Sequence, residues 1–389
     1  MKGFHKGIRR LCSVLLGLVY FGAGMLKLMD PVGAGLVVTE YLEFLHMEWL
    51  GPLAKPIGVS MALVETLTGA ALIAGAWRKF IAAVASFITV AFTILTLQLV
   101  IFNPEMDCGC FGEAIHLTHL QTFAKNLLLC LLCAGAFLPV KEYGRTSKST
   151  MVAFWMVAIV VALFTLQSLI SIPLMDFTEF APGTSLLADE DEDAPSGGNG
   201  EEYFVIYEKD GQEGAFTLEN LPDSTWTFVR VETTGGSLPG GDSSAPVFYI
   251  SDSEGQYRDD ILTEGRVMVL SVYDVPGYDG IEDAKRFLSD AEEAGFTAIA
   301  VAREPIPGIE TYTSDYKKII TFNRSNGGAT YLDDGEIICK WPSRRLPDTE
   351  ELTMAATRNP LEQLVERSSR RRIAFQGIVL YSLAVLLIL

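Results

Sequence analysis

The sequence predicts a membrane α-helical bundle that is joined to a soluble α/β domain and followed by a C-terminal transmembrane helix. Three observations lead to this class. The 389 residues are 49% hydrophobic but carry a formal net charge of −18, so apolar and acidic residues must be segregated along the chain. Long apolar runs recur through the first 175 positions, and each is close to the ~20 residues that a bilayer core requires. Later in the chain, short apolar segments have the spacing of strands and helices.

The composition excludes two classes of protein. An acidic balance, with Lys and Arg mostly at the ends of apolar segments, argues against nucleic acid as a partner. Six cysteines, of which five lie within the first 133 residues, do not form the framework of a small secreted disulfide protein. The expected partner of the apolar half is the lipid bilayer.

Six transmembrane spans are predicted. The N-terminus is basic and leads into the first apolar run, which places it in the cytoplasm. We interpret this run as a span rather than a signal peptide because it is long, lacks an Ala-x-Ala-like site and is followed by further spans. Residues 32–57 are predicted to be an outer loop with a short interfacial helix. The spans are residues 11–29, 58–77, 80–102, 120–140, 151–174 and 373–389.

These features divide the chain into five regions. They are a membrane bundle (1–148), a fifth transmembrane helix (149–175), an acidic linker (176–202), a soluble domain (203–360), and a basic segment with the sixth transmembrane helix (361–389). Five spans place the soluble domain outside the cytoplasm. Four arginines before the last span oppose this, so a cytoplasmic domain is the alternative, although the positive-inside tendency is weak after a long translocated domain. The four are Arg367, Arg370, Arg371 and Arg372.

The soluble region begins with predicted short strands and continues with alternating strands and helices. A hairpin is predicted from strands 329–332 and 336–341, which flank the turn Asp333-Asp334-Gly335. The other predicted elements are strands 203–207, 226–231, 247–250, 267–273 and 297–302 and a helix over 281–293.

The candidate catalytic residues are two thiols in the polar segment Asp107-Cys108-Gly109-Cys110-Phe111-Gly112-Glu113, between two spans. Gly109 and Gly112 allow the backbone to take the tight turn that a disulfide between such near neighbours requires. That disulfide would be strained and easily reduced. Cys108 and Cys110 are therefore predicted to be a redox pair, and the alternative is a static bridge that ties the loop.

The neighbours of the pair do not obviously activate it. Asp107 and Glu113 are expected to raise the cysteine pKa, and the thiolate is the reactive form. We therefore expect activation from the start of the following helix, or from His116 or His119. These two histidines, with the cysteines, also supply the ligand types of a zinc or copper site, although their interpretation as ordinary loop residues is favoured.

Further candidates lie within the spans. Ionisable groups in a membrane are costly and usually face the bundle interior, so Lys27, Glu65 and Lys125 are predicted to form a cluster beneath the cysteines or to line a headgroup or quinone site. Snorkelling is the alternative for the two lysines. Cys130 and Cys133 share one helix face and could relay electrons, but Cys130 lies about 15 Å deep at 1.5 Å per residue, which favours a packing role.

Three sets of motifs occur within residues of about 11–140. They are Phe21-Gly22-Ala23-Gly24 with Lys27 and Asp30-Pro31, Glu65 with Gly69, and Cys108-Gly109-Cys110-Phe111-Gly112 followed by Thr122, Lys125 and Asn126. With these motifs the region resembles the DoxX/MauE family of four-span bacterial membrane proteins. This resemblance implies thiol–disulfide chemistry or the maturation of periplasmic redox proteins, with a quinone as the implied cofactor. It also implies that Thr122, Lys125 and Asn126 support the cysteine site.

The soluble region contains Phe248-Tyr249-Ile250 with Asp252 and Gly255, then the strand 267–273, and then the run 323–341. In this order it resembles thioredoxin-like domains of the TlpA type. Two departures are clear. The segment 274–278 (Asp-Val-Pro-Gly-Tyr) stands where the family has Cys-x-x-Cys, and Gly327-Gly328 stands where it has a cis-proline. Because its only cysteine is Cys339, such a domain cannot perform dithiol exchange by itself.

The predicted function is that of a bacterial inner-membrane thiol–disulfide redox protein with its soluble domain in the periplasm. Cys108 and Cys110 would exchange disulfides with a periplasmic thiol protein, which is the predicted partner, and electrons would pass into the bundle to a quinone. A non-enzymatic scaffold or assembly subunit, whose degenerate domain binds a partner, is the alternative. A metal-handling membrane protein is the third possibility.

Overall fold

A computed structural model describes residues 2–104, 106–138, 146–187, 203–209, 212–217, 227–233 and 246–388. The chain divides into two compact units. One contains Met1–Leu186 with Pro246–Leu389, and the other is Leu187–Ala245. Most of the acidic tract of the predicted linker, residues 188–200, lies outside the described residues.

The N-terminal part of the first unit is helical. Among the described residues, six helices are long and apolar enough to cross a membrane, which equals the number of predicted spans. The elements of this part are α1 (Lys2–Met29), α2 (Pro31–Phe44), α3 (Ala54–Ala74), α4 (Arg78–Phe102), β1 (Cys110–Glu113), α5 (His119–Phe137) and α6 (Lys148–Ile170).

The predicted outer loop after α1 contains more helix than expected. Helix α2 begins because Pro31 occupies its first turn and because Asp30 caps it, with the Asp30 carboxylate accepting a hydrogen bond from the Gly33 amide at 2.9 Å. A short 3₁₀ helix, Glu48–Leu53, then leads into α3. The chain between the first two spans is therefore mostly helical, with α2 followed by the short 3₁₀ helix.

Small residues bring α1 and α3 into close contact. A Cβ atom at Gly69 would overlap the backbone of Phe21, and one at Gly24 would overlap Thr66. Close approach of backbones through glycine is typical of helix pairs in membranes, where packing rather than the hydrophobic effect drives association. Gly24 and Gly69 thus set the distance between the helices that carry Lys27 and Glu65.

The C-terminal part of the first unit is a sheet domain. Its five strands have the order β7-β6-β5-β8-β9, in which β5, β6 and β7 are parallel and β8 is antiparallel to both β5 and β9. The elements are α7 (Asp260–Thr263), β5 (Arg266–Val272), α8 (Ile281–Glu293), β6 (Thr297–Ala302), β7 (Thr311–Thr313), α9 (Tyr316–Phe322), β8 (Gly328–Asp333), β9 (Glu336–Trp341), α10 (Thr349–Thr357) and α11 (Pro360–Ile388).

Both faces of this sheet are buried. Along β5, Met268 and Leu270 point into a core that includes Phe287 of α8, while Val267 and Val269 point into a second core on the other face. Burial on both faces explains why β5 is a continuous apolar run rather than an alternating one. Helices α8 and α10 cover the first face and α9 covers the second.

Most of the predicted elements of the sheet domain are confirmed. The helix 281–293 and the strand 297–302 have the predicted bounds, and the hairpin turns at Asp334 and Gly335, which have φ values of +46° and +81°. Two central residues with positive φ are typical of the tight turn that matches strand twist.

The predicted strand over 247–250 is wrong. Phe248 and Ile250 are buried in the second core, but none of the described strands pairs with this segment, and the adjacent Ser251 forms isolated bridges to Tyr257 and Thr313. The amide of Ile250 donates to the Asp259 carboxylate at 2.8 Å instead. The alternating apolar residues of this segment therefore reflect an extended chain with alternately buried side chains, and the segment is not a strand of the sheet.

The second unit contains a separate antiparallel sheet of order β3-β2-β4. Its strands are β2 (Tyr203–Lys209), β3 (Gln212–Thr217) and β4 (Thr227–Thr233), which confirms the strands predicted near 203 and 226. Its described strands pair only with one another, so the predicted region 203–360 is divided between the two units.

The basic segment before the last span is part of α11. Arg367 donates to the Glu351 carboxylate at 2.9 Å and lies over the Trp341 ring, and Arg371 donates to the backbone carbonyl of Lys340 at 3.1 Å. At least two of the arginines that oppose the predicted topology are therefore bound to the sheet domain. The side of the membrane on which this domain lies stays a prediction.

Candidate functional site

The cysteine loop, Asp107–Glu113, connects α4 to α5. Gly109 and Gly112 have φ values of +58° and +61°, and the Gly112 amide donates to the Gly109 carbonyl at 3.2 Å. A Cβ atom at Gly109 would also overlap Val37 of α2. Both glycines thus permit the tight turn that the sequence predicted, and the first also allows the loop to lie against α2.

Cys108 is held at the start of α5. The residue is only 6% exposed, and its thiol lies 2.9 Å from the Thr122 hydroxyl, while the Tyr41 hydroxyl donates to its backbone carbonyl at 3.1 Å. Thr118 caps α5 through a reciprocal pair of hydrogen bonds with Gln121, which fixes the helix turn that presents Thr122. Both loop cysteines are free thiols.

The two thiols have opposite pKa shifts. The hydrogen bond from the Cys110 thiol is the largest influence and lowers the pKa of Cys108 to about 5, against the effect of burial and with help from Thr122 and the Lys125 cation. The same hydrogen bond, together with burial, raises the pKa of Cys110. The pair therefore contains one thiolate and one thiol near neutral pH.

Two of the groups that lower the pKa of Cys108, Thr122 and Lys125, are residues that the resemblance implied as support for the site. The ring Nδ1 of His116 lies 3.0 Å from the Asp107 carboxylate, and His119 bonds to Asn103 and to the Met106 carbonyl. Neither histidine is among the main influences on the pKa of Cys108 or Cys110. Activation by a histidine stays a prediction.

The charged residues of the spans are only partly brought together. The Lys27 ammonium lies 2.7 Å from the Glu65 carboxylate, and both side chains are nearly buried. Lys125 instead lies over the Phe111 ring, 4.8 Å from its centroid. Asn126 is buried and donates to the Phe92 carbonyl at 3.2 Å, which joins α5 to α4.

A cavity of about 240 Å³ connects these groups. Its walls come from α1 to α5 and are mostly apolar. Both loop cysteines lie on its surface, as do the Lys27–Glu65 pair and Lys125. Sequence reasoning did not identify α2 as a wall of this site, because Val37, Val38 and Tyr41 have the composition of an ordinary interfacial helix. The other polar lining residues are Tyr20, Thr96 and Asn126.

Cys130 and Cys133 lie elsewhere. Their thiols are 3.4 Å and 3.5 Å from the hydroxyls of Thr93 and Thr89, and they line a different cavity between α4 and α5. Neither residue lines the cavity of the cysteine loop. The structure therefore does not bring this second pair beside Cys108 and Cys110.

The donors of the predicted metal site do not converge. In the described parts of the chain there is no group of three or more His, Cys, Asp and Glu residues that could hold a metal ion. The rings of His116 and His119 take part in hydrogen bonds instead. Their role as metal ligands therefore stays a prediction from the sequence.

Arg324 joins the sheet domain to the cysteine loop. Its guanidinium lies 3.0 Å from the Asp30 carboxylate and 2.7 Å from that of Glu113, and its side chain is 2% exposed. Burial raises the pKa of Glu113, and Arg324 opposes that effect. No local sequence pattern indicates this contact, because the two partners of Arg324 are 294 and 211 positions away.

The sheet domain has no reactive thiol of its own. In the segment 274–278, the Tyr278 ring packs against Gly327, where a Cβ atom would overlap it. Asn326 fixes the preceding turn by accepting from the amides of Tyr273 and Asp274 at 2.9 Å and 3.0 Å. Cys339 is buried in β9, and burial raises its pKa to about 12.

Comparison with known proteins places the cysteine loop within a family domain. Residues 6–139 match the family model described as methylamine utilisation protein MauE. These residues form a MauE family domain. It comprises the described parts of α1 to α5 from position 6 onward, and therefore all walls of the cavity. The MauE part of the predicted resemblance is confirmed, and the DoxX and thioredoxin-like parts stay predictions.

The rest of the chain has fewer counterparts. A second family model, described as a domain of unknown function (DUF8463), matches residues 201–234, which contain β2, β3 and β4. No curated protein and no solved structure matches the chain.

The hydrogen bond between the cysteines predicts a pH effect. In Cys110→Ala the largest influence that lowers the pKa of Cys108 is lost, so that pKa should rise from about 5 toward the ordinary thiol value of ~8.5. Iodoacetamide labelling of Cys108 should have reached its plateau by neutral pH in the wild type, and should still increase with pH there in the variant. Cys130→Ala is the matched control and should keep the wild-type profile. Coinciding profiles for wild type and Cys110→Ala would contradict the assignment.

The Arg324 contact predicts a loss of stability. Arg324→Ala leaves the Asp30 and Glu113 carboxylates without their cation, which should cost roughly 3–5 kcal/mol. We expect a clear fall in the thermal unfolding temperature of the full-length protein in detergent. Arg344→Ala, at an exposed position of the same domain, should change it little. Equal unfolding temperatures for the two variants would show that the buried contact contributes nothing.

Proposed function

We propose that the MauE family domain is a membrane thiol–disulfide oxidoreductase, in which Cys108 and Cys110 accept two electrons from the dithiol of a periplasmic protein. The observation that carries this proposal is the low pKa of Cys108 beside Cys110, at the wall of a cavity inside the bundle. A static bridge has no need of a stabilised thiolate.

The two cysteines have different roles in the proposed exchange. In the oxidised pair, a partner thiolate attacks the Cys110 sulfur, the Cys108–Cys110 bond breaks, and Cys108 leaves as a thiolate. The thiol of lower pKa is the better leaving group, and Cys110 is the less buried of the two. The second partner thiolate then attacks the mixed disulfide, so the partner leaves oxidised and Cys110 takes up a proton.

The cavity supports a quinone as the electron acceptor. A cavity of ~150 Å³ accommodates benzene, so a volume of about 240 Å³ is sufficient for a substituted ring. Lys27 and Lys125 could donate hydrogen bonds to its carbonyl oxygens, and the apolar walls suit its ring. A bound quinone would supply a two-electron, two-proton acceptor, while the chain supplies the paired thiols and the Lys27–Glu65 pair as a proton carrier near them.

We also infer that the sheet domain is a thioredoxin-like module that serves for docking. This is supported by the central order β6-β5-β8-β9, with a parallel β5–β6 pair joined through α8 and an antiparallel hairpin at the edge. Because Arg324 holds the domain against the cysteine loop, a partner bound to the domain would lie near Cys110. A bacterial inner membrane, with this domain in the periplasm, is the location we propose.

A scaffold is the second candidate function. It is favoured by Tyr278, which occupies the segment where a thioredoxin-like domain would carry its cysteines, and by the buried Arg324 contact that fixes the domain in place. On that account the MauE family domain would serve assembly in the process its family description names, methylamine utilisation, without cycling its thiols.

Oxidation of the purified protein by a quinone tests the proposal. The full-length protein is first reduced and placed in nanodiscs. When a short-chain ubiquinone is added, the quinone should oxidise the Cys108–Cys110 dithiol to a disulfide, with one quinone reduced for each pair oxidised. Cys108→Ser and Cys110→Ser should abolish the reaction. The double variant Cys130→Ser/Cys133→Ser is the matched control and should react like the wild type. Equal quinone reduction in Cys108→Ser and wild type would refute the oxidoreductase account and leave the scaffold.

A further inference from the structure

Three of the four arginines before the last span line another cavity, of about 200 Å³. It lies where α11 passes from the sheet domain to its apolar half, between β9 and the chain that follows α6. The cavity belongs to neither the cysteine loop nor the MauE family domain. The proposed redox function leaves its residues without a role.

The charges at this cavity do not balance. Four cations and one carboxylate line it. The Lys340 ammonium is neutralised by the Asp176 carboxylate at 2.7 Å, and Arg367 is neutralised by Glu351 at 2.9 Å. Arg371 and Arg372 form no ion pair with any carboxylate of the described residues, in a chain whose net charge is −18. Two uncompensated guanidinium groups therefore face one small cavity.

The cavity lies at the depth where a bilayer would begin. The apolar half of α11 starts at position 373, directly after these arginines. On the other wall, Leu174 and Met175 pack against the hydrophobic core of the bundle. Below the cavity, Ile373 and Leu380 of α11 are exposed on the helix surface, where acyl chains would contact them.

We propose that this cavity binds the phosphate of an anionic phospholipid headgroup, with Arg371 and Arg372 as its ligands. A planar guanidinium group donates two parallel hydrogen bonds to a phosphate, and basic clusters at the end of a transmembrane helix attract anionic lipids. Arg371 is oriented by its bond to the Lys340 carbonyl, so β9 positions the site. The proposal does not depend on the redox chemistry, and it explains arginines on the same side of the membrane as the sheet domain.

Lipid retention by the full-length protein tests the site. Detergent-solubilised protein is incubated with phosphatidylglycerol or with phosphatidylcholine, and bound lipid is measured by native mass spectrometry. The wild type should retain phosphatidylglycerol over phosphatidylcholine, and Arg371→Gln/Arg372→Gln should weaken phosphatidylglycerol binding about 30-fold. Arg344→Gln/Arg345→Gln removes the same charge at positions that do not line the cavity and should change binding little.

A single variant and a competition experiment complete the test. Arg372→Gln alone changes an exposed side chain, so it should fold normally and still weaken binding about 5-fold. Inorganic phosphate added at matched concentration should not displace the lipid. Equal retention of the two lipids, unchanged binding in the double variant, or complete displacement by free phosphate would each overturn the assignment to a lipid headgroup.

Discussion

The buried guanidinium of Arg324 connects the three parts of the molecule on which the cysteine site depends. One of its carboxylate partners, Asp30, also caps α2 through its other oxygen, so the same side chain fixes the start of a cavity wall and the position of the sheet domain. The other partner, Glu113, ends the cysteine loop. Burying a cation is costly unless its partners are well placed, so the burial of Arg324 requires both Asp30 and Glu113 in position beside it.

The chemistry proposed for the loop follows from an asymmetry between two thiols that are one residue apart. Cys108 is turned toward Thr122 and the bundle, and it carries the lowered pKa, while Cys110 is less buried and keeps its proton. This difference between the two thiols suits a redox pair that exchanges disulfides with a protein partner and passes electrons to a small acceptor. The Lys27–Glu65 pair lies on the same cavity, in a membrane region where charged groups are retained mainly for function.

The sequence predicted what depends on local pattern. Apolar length gave the six spans, two glycines gave the turn of the cysteine loop, and Asp334-Gly335 gave the hairpin. What it could not give depends on contacts between distant segments, such as the salt bridges of Arg324 or the cavity wall formed by α2. The strand predicted over 247–250 failed for a related reason, since alternating burial does not reveal whether a neighbouring strand is available.

The central claim is that Cys108 and Cys110 cycle between dithiol and disulfide in the cell. Alkylation of intact cells with a mass-tagged maleimide, with and without prior reduction, measures this directly in the wild type and in Cys108→Ser and Cys110→Ser. The account predicts a mixture of reduced and oxidised pairs that shifts with the respiratory state, and a partner protein trapped on Cys110 in Cys108→Ser. A pair that is fully oxidised under every condition, with no trapped partner, would contradict the claim and make the bridge structural.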